Sequence, residues 1–499
     1  PDRLAVMATL YGLNPAPVER CRVLEIGCGD GWNLIPMAFG LPESEFTGID
    51  LSPEAVGRGR EAIAALALSN IRLMTADLMD FDPGFGTFDY IVAHGLYAWI
   101  PEAVRDKLLT IANAHLSPDG VAFISYNANP AGRVRQAVRE MMLFHAGVIA
   151  DPEERVASGL AFLQFLGDNT PEPGPYAALA RTEVEKLVQR HPNGIYHDEM
   201  ADTYAPVYFH EFAAHAARHG LQYLSEAVFA DMQTGFLTPE TREKLRVLAA
   251  GDVLRYEQYL DFLKFRKFRQ TLLCHAGRTL DRSMDPARLR GLFVSSAAKR
   301  AAPAADAAPD VERFEGPHGA AASSNNPTVK AILGRLIEVW PQSIGFTDLA
   351  PLADERTLTG ILIQLYGGLL VELHAHRPPV AAAAGERPEV SRLARYQART
   401  QRRVTTLLHA HVDITDDLGW RMFQLLDGSR DRSVLLDEIA ARAPEGDRKT
   451  LAGQIDRSLA ALARLGLLRD TRKTENGATA GRENTNQPLH RSCGSERPE

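Results

Sequence analysis

A short glycine-rich turn near the start of the chain constrains the fold more than any other feature of the sequence. The apolar run Val23–Ile26 is followed at once by Gly27, Gly29 and Gly31, and a helical pattern begins just beyond them. Glycines at this spacing permit a tight turn, a close approach of a ligand to the backbone, and close packing of a helix on a strand. The turn therefore predicts the first strand and first helix of a nucleotide-binding parallel sheet.

Short apolar runs alternate with helical patterns through residues 20–126. This alternation predicts five parallel strands joined by right-handed helical crossovers. The predicted strands are Val23–Ile26, Phe46–Asp50, Ile71–Leu73, Phe88–Val92 and Val121–Ser125. A helix start at Ser52, with Pro53 in the first helical position, and an amphipathic stretch over Pro101–Leu116 predict two of the connecting helices. The latter helix is expected to end in a turn at Ser117–Gly120.

The strand alternation stops after residue 129, so residues 1–129 are expected to form the nucleotide-binding core. Residues 130–205 predict a helical insertion. A helix over Phe209–His219 and strands over Leu221–Phe229 and Phe268–His275 follow it. A parallel sheet of this type normally needs one more helix and two more strands, so we expect residues 206–300 to complete the same sheet.

The last third of the sequence predicts smaller modules. Residues 301–325 are rich in Ala, Pro, Ser and Asn, which indicates a linker. Two helix–Gly–apolar patterns, QLYGGLLVEL and ALARLGLLRD, predict winged-helix-like modules over residues 326–380 and 388–470. Residues 471–499 contain almost no large apolar side chains and are expected to be disordered.

Acidic residues at the ends of the first three strands indicate which nucleotide the sheet would hold. Glu25 precedes the glycines, where a cationic amino-acid group would need a negative partner. Asp50 ends the second strand, where a carboxylate can accept hydrogen bonds from ribose hydroxyls. Asp77 follows the third strand, where it can accept from an adenine amine. This order favours S-adenosylmethionine over the dinucleotide of a dehydrogenase, which is the main alternative. The predicted cofactor contacts are Glu25, Gly27, Cys28, Gly29, Gly31, Asp50, Leu51, Asp77, Leu78 and His94.

The loop after the fourth strand supplies the candidate substrate residues, because ligands bind at the carboxyl ends of parallel strands. His94 could contact the cofactor or relay a proton, and Tyr97 and Trp99 could hold a cationic chain through their rings. Tyr126, after the fifth strand, could add a polar contact. For each of these four residues, a packing role is the alternative interpretation.

Several other classes of function find little support in the sequence. The four cysteines lack C-x-x-C spacing, and His210 and His215 are five residues apart rather than four, so no metal site is predicted. The formal net charge of −8 gives no sign of nucleic-acid binding, and the basic stretch KFRKFR (264–269) is expected to form intramolecular ion pairs or a solvated face. The sequence shows no signal peptide and no run of about 18 apolar residues, so we expect a cytoplasmic protein without membrane insertion.

The segments VLEIGCGDGWNLIPMA, TGIDLS, VAHGLYAWIP and FISYN resemble bacterial proteins that join a class I methyltransferase to a methyltransferase regulatory domain. APVYFHEFAAHAARHGLQYLSEA and YEQYLDFLKFRKFRQTLLCH resemble that regulatory domain, and the C-terminal part resembles the winged-helix domain of rickettsial-type protein-lysine methyltransferases. The resemblance covers roughly residues 1–470.

This resemblance implies an α/β fold: a Rossmann-like class I methyltransferase sheet with helical insertions, followed by mostly helical winged-helix-like modules. It also implies methyl transfer from S-adenosylmethionine to lysine side chains of a protein partner, without a metal, by a possible homodimer. Two alternatives remain open. One is a methyltransferase acting on small molecules or natural products, and the other is a catalytically inactive regulatory protein that binds S-adenosylmethionine.

Overall fold

The computed structural model of this chain describes residues 1–81, 83–169, 175–190, 192–302, 308–441 and 448–470. The chain divides into two units, Pro1–Arg377 and Pro378–Glu499. The predicted disordered tail, residues 471–499, lies outside the described residues. Among the helices that are described, none combines the length and the apolar character needed to cross a membrane.

A seven-stranded sheet forms the centre of the first unit. Its strands are β1 (Arg22–Ile26), β2 (Glu45–Asp50), β3 (Ile71–Thr75), β4 (Phe88–Ala93), β5 (Leu116–Asn127), β6 (Leu221–Glu226) and β7 (Phe268–His275). They lie in the order β3-β2-β1-β4-β5-β7-β6, with β1 to β5 parallel and β7 antiparallel to both of its neighbours. Because the chain changes direction across the sheet between β1 and β4, the ligand crevice is expected at the carboxyl ends of these two strands.

The predicted Rossmann-like sheet is confirmed, with one local difference. All five predicted parallel strands are present; the first four are one or two residues longer than expected, and the fifth has 12 residues. The helix predicted over Pro101–Leu116 runs directly into β5, so Ser117–Gly120 lies within that strand rather than in a separate turn. The pairing of β4 with β5 is irregular at this place, which accommodates the extra residues.

Helices cover the sheet and form the insertion between β5 and β6. In the first unit they are α1 (Asp2–Leu10), α2 (Leu34–Gly40), α3 (Pro53–Ala65), α4 (Glu102–His115), α5 (Ala131–Ala146), α6 (Pro152–Asn169), α7 (Pro175–Val188), α8 (Pro192–Glu199), α9 (Phe209–Arg218), α10 (Pro239–Ala249), α11 (Val253–Lys264), α12 (Pro327–Val339) and α13 (Glu355–Gly367). The predicted cap of α3 is present, since Ser52 Oγ accepts from the Ala55 amide at 3.2 Å. Helices α5 to α8 share a core of their own that includes Met142, Leu163 and Ile195.

The prediction of a linker over residues 301–325 is wrong. The small antiparallel sheet β11-β10-β9 consists of β9 (Lys299–Ala301), β10 (Glu312–Glu315) and β11 (Ala321–Ser324). Phe314 on the central strand is fully buried. This side chain gives the sheet an apolar core contact, which the small and polar residues of the rest of the segment do not predict. Residues 303–307 lie outside the described residues.

A second small sheet accompanies α12 and α13. It consists of β8 (Phe293–Ser295), β12 (Ile344–Gly345) and β13 (Glu372–His374), in the order β12-β8-β13. Because β8 pairs with both other strands, the module formed by this sheet, α12 and α13 begins well before its predicted start at residue 326. The local helix–Gly–strand pattern could not reveal a strand donated from the preceding segment.

The second unit has its own apolar core. Its described elements are α14 (Arg392–Gln397), β14 (Arg403–Thr405), β15 (His411–Asp413), α15 (Asp417–Phe423), α16 (Arg432–Ala440) and α17 (Arg448–Arg464). Phe423, Leu426 and Leu459 are among its buried side chains. Isolated bridges join Val390 to Leu468 and Val380 to Arg469, so the end of the second predicted module pairs with its own beginning and with the last residue predicted for the first module.

A buried ion cluster holds β7 against α11. The guanidinium of Arg269 is completely buried and donates to Glu226 at 2.6 Å, to Glu257 at 3.0 Å and to both oxygens of Asp261 at 2.8 Å. Burying charges is costly, and only complete pairing offsets the loss of hydration. This arginine ends the stretch KFRKFR, so part of that basic sequence forms the predicted intramolecular ion pairs.

We expect the variant Arg269→Met to be strongly destabilised, because Glu257 would lose its buried ion-pair partner while Glu226 and Asp261 would keep only Arg266. Removing one partner of such a cluster typically costs about 3–5 kcal/mol. Urea unfolding followed by circular dichroism measures the change. The control is Arg255→Met on the exposed face of α11, which should change the free energy of unfolding by less than about 0.5 kcal/mol. Equal stability of the two variants would contradict this account of the cluster.

Candidate active site

The glycine turn after β1 is fastened to the end of β2. The amides of Gly27 and Cys28 donate to the carbonyl of Ile49 at 2.9 and 3.0 Å. The amide of Gly29 donates to Asp50 Oδ2 at 2.7 Å. The φ angles of Gly27 and Gly29 are 74° and 55°, a left-handed conformation that glycine adopts without steric cost. The backbone of the turn is thus fixed by the neighbouring strand before any ligand binds.

Gly29 and Gly31 have different roles in this turn. A Cβ atom at Gly31 would lie 2.7 Å from Leu73 Cδ1, so this glycine makes room for the packing of the turn on β3. A Cβ atom at Gly29 would have no atom of the described residues within 4 Å. The backbone of Gly29 therefore faces open space that a ligand can enter. The division of roles agrees with the sequence-based interpretation of the motif.

Glu25 lies beneath the turn with one oxygen unpaired. Its side chain is buried, and Oε1 accepts a hydrogen bond from Asn33 Nδ2 at 2.8 Å. Oε2 is also buried and has no hydrogen-bond partner in the described part of the chain. Burial raises the pKa of Glu25 to about 7, against the opposing effect of the Asn33 hydrogen bond. A buried carboxylate oxygen without a partner is unfavourable, so this position suits a cationic or hydrogen-bond-donating group of a ligand.

Asp50 and Asp77 both bind backbone amides at the ends of their strands. Besides the Gly29 amide, Asp50 accepts from the Ser52 amide at 2.9 Å through Oδ1. Asp77 Oδ1 accepts from the Met79 amide at 2.9 Å and caps a short helical turn. The two strand ends are joined by the hydrogen bond from the Ala76 amide to the Asp50 carbonyl at 3.0 Å. The three predicted acidic residues therefore lie at or just after the carboxyl ends of three adjacent strands.

Leu51 and Leu78 differ in their exposure. The side chain of Leu51 is 69% exposed beside the end of β2, so it is available to pack on a flat ring. Leu78 is buried in the main core, where it helps to anchor the loop after β3. A side-chain contact of Leu78 with a ligand is thereby ruled out, and only its backbone remains available.

His94 lies at the carboxyl end of β4, and its ring is oriented by a serine that the sequence analysis did not identify. The buried hydroxyl of Ser125 accepts from the Gly95 amide at 2.7 Å and lies 2.9 Å from His94 Nδ1. The serine oxygen has two lone pairs, so it can accept from the Gly95 amide and also from an N–H at Nδ1, which leaves Nε2 free. Desolvation lowers the pKa of His94, which favours the neutral ring. The segment FISYN contained this serine, but only the pairing of β4 with β5 reveals its partner.

The predicted substrate contacts of Tyr97 and Tyr126 are wrong, because both rings lie in the core. Tyr97 is 2% exposed, and its hydroxyl lies 2.7 Å from His215 Nδ1. Tyr126 is fully buried, stacks on Phe212 at 4.3 Å and places its hydroxyl 3.2 Å from Thr271 Oγ1. Both tyrosines support the loops around the pocket from beneath.

Trp99 packs on the helical insertion as well as against the main core. Its ring lies 4.9 Å from that of Tyr204, and the guanidinium groups of Arg135 and Arg139 each lie 5.3 Å from its centroid. Arginine above an aromatic face is a favourable arrangement. This stack links the loop after β4 to the insertion that follows β5.

The pKa of Glu25 predicts a specific pH dependence of stability in the ligand-free protein. In the folded chain the carboxyl group keeps its proton up to about pH 7, whereas in the unfolded chain it loses the proton near its ordinary value of 4.5. The folded state therefore loses stability as the pH rises through this window, by up to about 3 kcal/mol. The variant Glu25→Gln should lack this loss. Thermal unfolding at pH 5 and pH 8 measures it, and parallel pH profiles of variant and wild type would contradict the assignment.

Three family models match the chain. A methyltransferase domain matches residues 23–120, a predicted methyltransferase regulatory domain matches residues 191–275, and the C-terminal winged helix domain of PKMT matches residues 386–455. The first match contains the glycine turn and the strand ends described above. The second contains β6 and β7, so the segment that matches the regulatory domain supplies two strands of the same sheet.

Relatives and solved structures support the same grouping. The uncharacterized protein RP789 of Rickettsia prowazekii is 30% identical over 472 residues, which cover 90% of this chain and 84% of that protein. A solved structure of PKMT2 from Rickettsia typhi in complex with AdoHcy is 27% identical, with a TM-score of 0.80, and the match covers 93% of this chain and 97% of that one. A trans-aconitate 2-methyltransferase of Variovorax paradoxus is 26% identical over 231 residues, 46% of this chain and 78% of that enzyme. The chain belongs to the family of methyltransferases that combine a Rossmann-like catalytic domain, a methyltransferase regulatory domain and a PKMT-type winged-helix domain.

Proposed function

We propose that this protein transfers methyl groups from S-adenosylmethionine to lysine side chains of proteins. The observation that carries the proposal is the buried, unpaired Oε2 of Glu25 beneath an open glycine turn. An anionic oxygen at this position is the partner that the ammonium group of an amino-acid moiety requires. When bound, S-adenosylmethionine supplies a methyl group already activated on a sulfonium sulfur.

The residues at the strand ends fit the different parts of this cofactor. Glu25 would hold the amino group, directly or through water, and the open space on the Cβ side of Gly29 would admit the carbon chain attached to it. Asp50 would accept from ribose hydroxyls with the lone pairs that its two backbone contacts leave free. Leu51 would cover one face of the adenine, and Asp77 would accept from its exocyclic amine.

A lysine acceptor must lose a proton before it can attack, since the pKa of a free lysine is about 10.4. His94 stands at the carboxyl end of β4, its side chain is exposed, and its ring is held by Ser125. Desolvation lowers the pKa of His94 and so favours the neutral imidazole; when Nδ1 donates to Ser125, Nε2 can accept a proton. We therefore assign to His94 the transfer of the amine proton towards solvent, alongside its predicted contact with the cofactor.

The choice of protein lysine as acceptor is supported by the similarity to PKMT2 of Rickettsia typhi, whose name we interpret as protein-lysine methyltransferase. The net charge of −8 would also favour the approach of a cationic substrate. We further propose a cytoplasmic location, because the described cysteines, Cys21, Cys28 and Cys274, are all free thiols.

A small-molecule acceptor is the second candidate. It is favoured by the similarity of almost half of the chain to trans-aconitate 2-methyltransferases, whose substrate is a small carboxylic acid. The two candidates differ in where the transferred methyl group would be found after reaction with a cell extract.

Incubation of the purified protein with S-adenosylmethionine labelled in its methyl group and a cell extract should label protein bands. Hydrolysis of these bands should release methylated lysine. The variant Asp50→Ala, which loses a predicted cofactor contact, should label them at least about tenfold more weakly, whereas Glu61→Ala on the exposed face of α3 should match the wild type. Label confined to the small-molecule fraction would favour the second candidate, and no label in either fraction would contradict both.

A further inference from the structure

A cluster of three potential metal ligands lies where α4 meets α9, at side chains that the proposed reaction does not use. His215 Nε2 lies 2.6 Å, and His219 Nε2 lies 3.1 Å, from the same oxygen, Asp106 Oδ1. The two histidines are four residues apart and therefore lie on the same side of the helix end. All three ligand atoms lie within 4.8 Å of one another.

The hydrogen bonds around His219 leave a lone pair facing the carboxylate. The hydroxyl of Thr110 donates to the carbonyl of Asp106 at 2.8 Å, so at 3.2 Å from His219 Nδ1 it acts as the acceptor. A neutral imidazole carries one N–H, which is then on Nδ1, and Nε2 presents its lone pair to Asp106. The repulsion between this lone pair and Asp106 Oδ1, 3.1 Å away, is removed either by a second proton on the imidazole or by a bound cation.

The ring of His215 is also oriented by a hydroxyl group. Its Nδ1 lies 2.7 Å from the Tyr97 hydroxyl, so the outer nitrogen of each histidine has a hydroxyl partner. Such outer partners orient the histidines of metal sites. The side chain of Asp106 is 51% exposed, which leaves a path for an ion and for water.

We propose that Asp106, His215 and His219 bind one Zn²⁺ ion, with water in the fourth position. Two imidazoles and one carboxylate are a ligand set that zinc accepts, whereas magnesium prefers oxygen ligands alone. Ligands of a tetrahedral zinc ion lie about 3.3 Å from one another. The two N–O distances in the cluster, 2.6 and 3.1 Å, are close to this value, so small side-chain movements suffice to admit the ion.

The site would join two parts of the protein that the family models treat as separate. Asp106 lies within the methyltransferase match, and both histidines lie within the regulatory-domain match. The Tyr97 hydroxyl also connects His215 to the loop that carries His94. His210 and His215 are five residues apart, a spacing that does not suit a shared metal ion, whereas His215 and His219, in the segment HAARH, are four residues apart and converge on Asp106.

Calorimetric titration of the full chain with Zn²⁺, after treatment with a chelator and desalting, tests the proposal. We expect one zinc ion per wild-type chain. The variants Asp106→Asn and His219→Asn should bind it about tenfold more weakly or worse, since even loss of an outer partner weakens metal sites to this extent. The matched control is His210→Asn, an exposed histidine on the same helix, which should bind zinc as the wild type does.

Two further measurements make the result independent of the folding of any variant. Co²⁺ added to the wild type should give the visible absorption bands of a tetrahedral nitrogen–oxygen site, and Zn²⁺ should raise the Tm of the wild type and of His210→Asn. A wild type that binds no zinc would overturn the proposal. Folded Asp106→Asn and His219→Asn variants with wild-type affinity would overturn it as well. Neither result would bear on the binding of S-adenosylmethionine at the other site.

Discussion

The hydrogen bond from the Gly29 amide to the Asp50 carboxylate is the contact on which the geometry of the candidate pocket depends. It joins the turn after β1 to the end of β2, and the second oxygen of Asp50 holds Ser52 at the start of α3. The carbonyl of Asp50 receives the Ala76 amide after β3. One aspartate thus aligns three strand ends, and the buried Glu25 oxygen lies beneath the turn that it fixes.

The segment that matches a regulatory domain is structurally part of the catalytic sheet. β7 pairs with β5 from Phe268 to Leu273, and Phe268 lies edge-on to the His94 ring at a centroid distance of 6.3 Å. His215 of α9 contacts the Tyr97 hydroxyl beneath the same loop. A ligand that shifts α9 or β7 would therefore act on the loop after β4 through direct contacts. This arrangement gives a physical basis for regulation without a separate, movable domain.

The parts of the fold that were predictable are those set by local patterns. Alternating apolar runs and the spacing of Gly27, Gly29 and Gly31 located the five parallel strands, and the acidic residues at their ends followed in order. The failures concern partners distant in sequence. Tyr97 belongs to a loop at the candidate site, so the local sequence predicts an exposed ring. Phe212 and His215, more than a hundred residues later in the chain, enclose that ring. The strands within residues 301–325 are not predictable from composition, because most of their residues are small. Phe314 is the buried aromatic side chain that packs this sheet.

The central claim is that the turn at Glu25 and the carboxylate of Asp50 together bind a sulfonium nucleoside. Calorimetric titration with S-adenosylhomocysteine, the product of methyl transfer, tests it most directly. The wild type should bind, and Glu25→Ala and Asp50→Ala should each lose about 1–3 kcal/mol of binding free energy through missing charge-assisted hydrogen bonds. Unchanged affinity in both variants would contradict the claim.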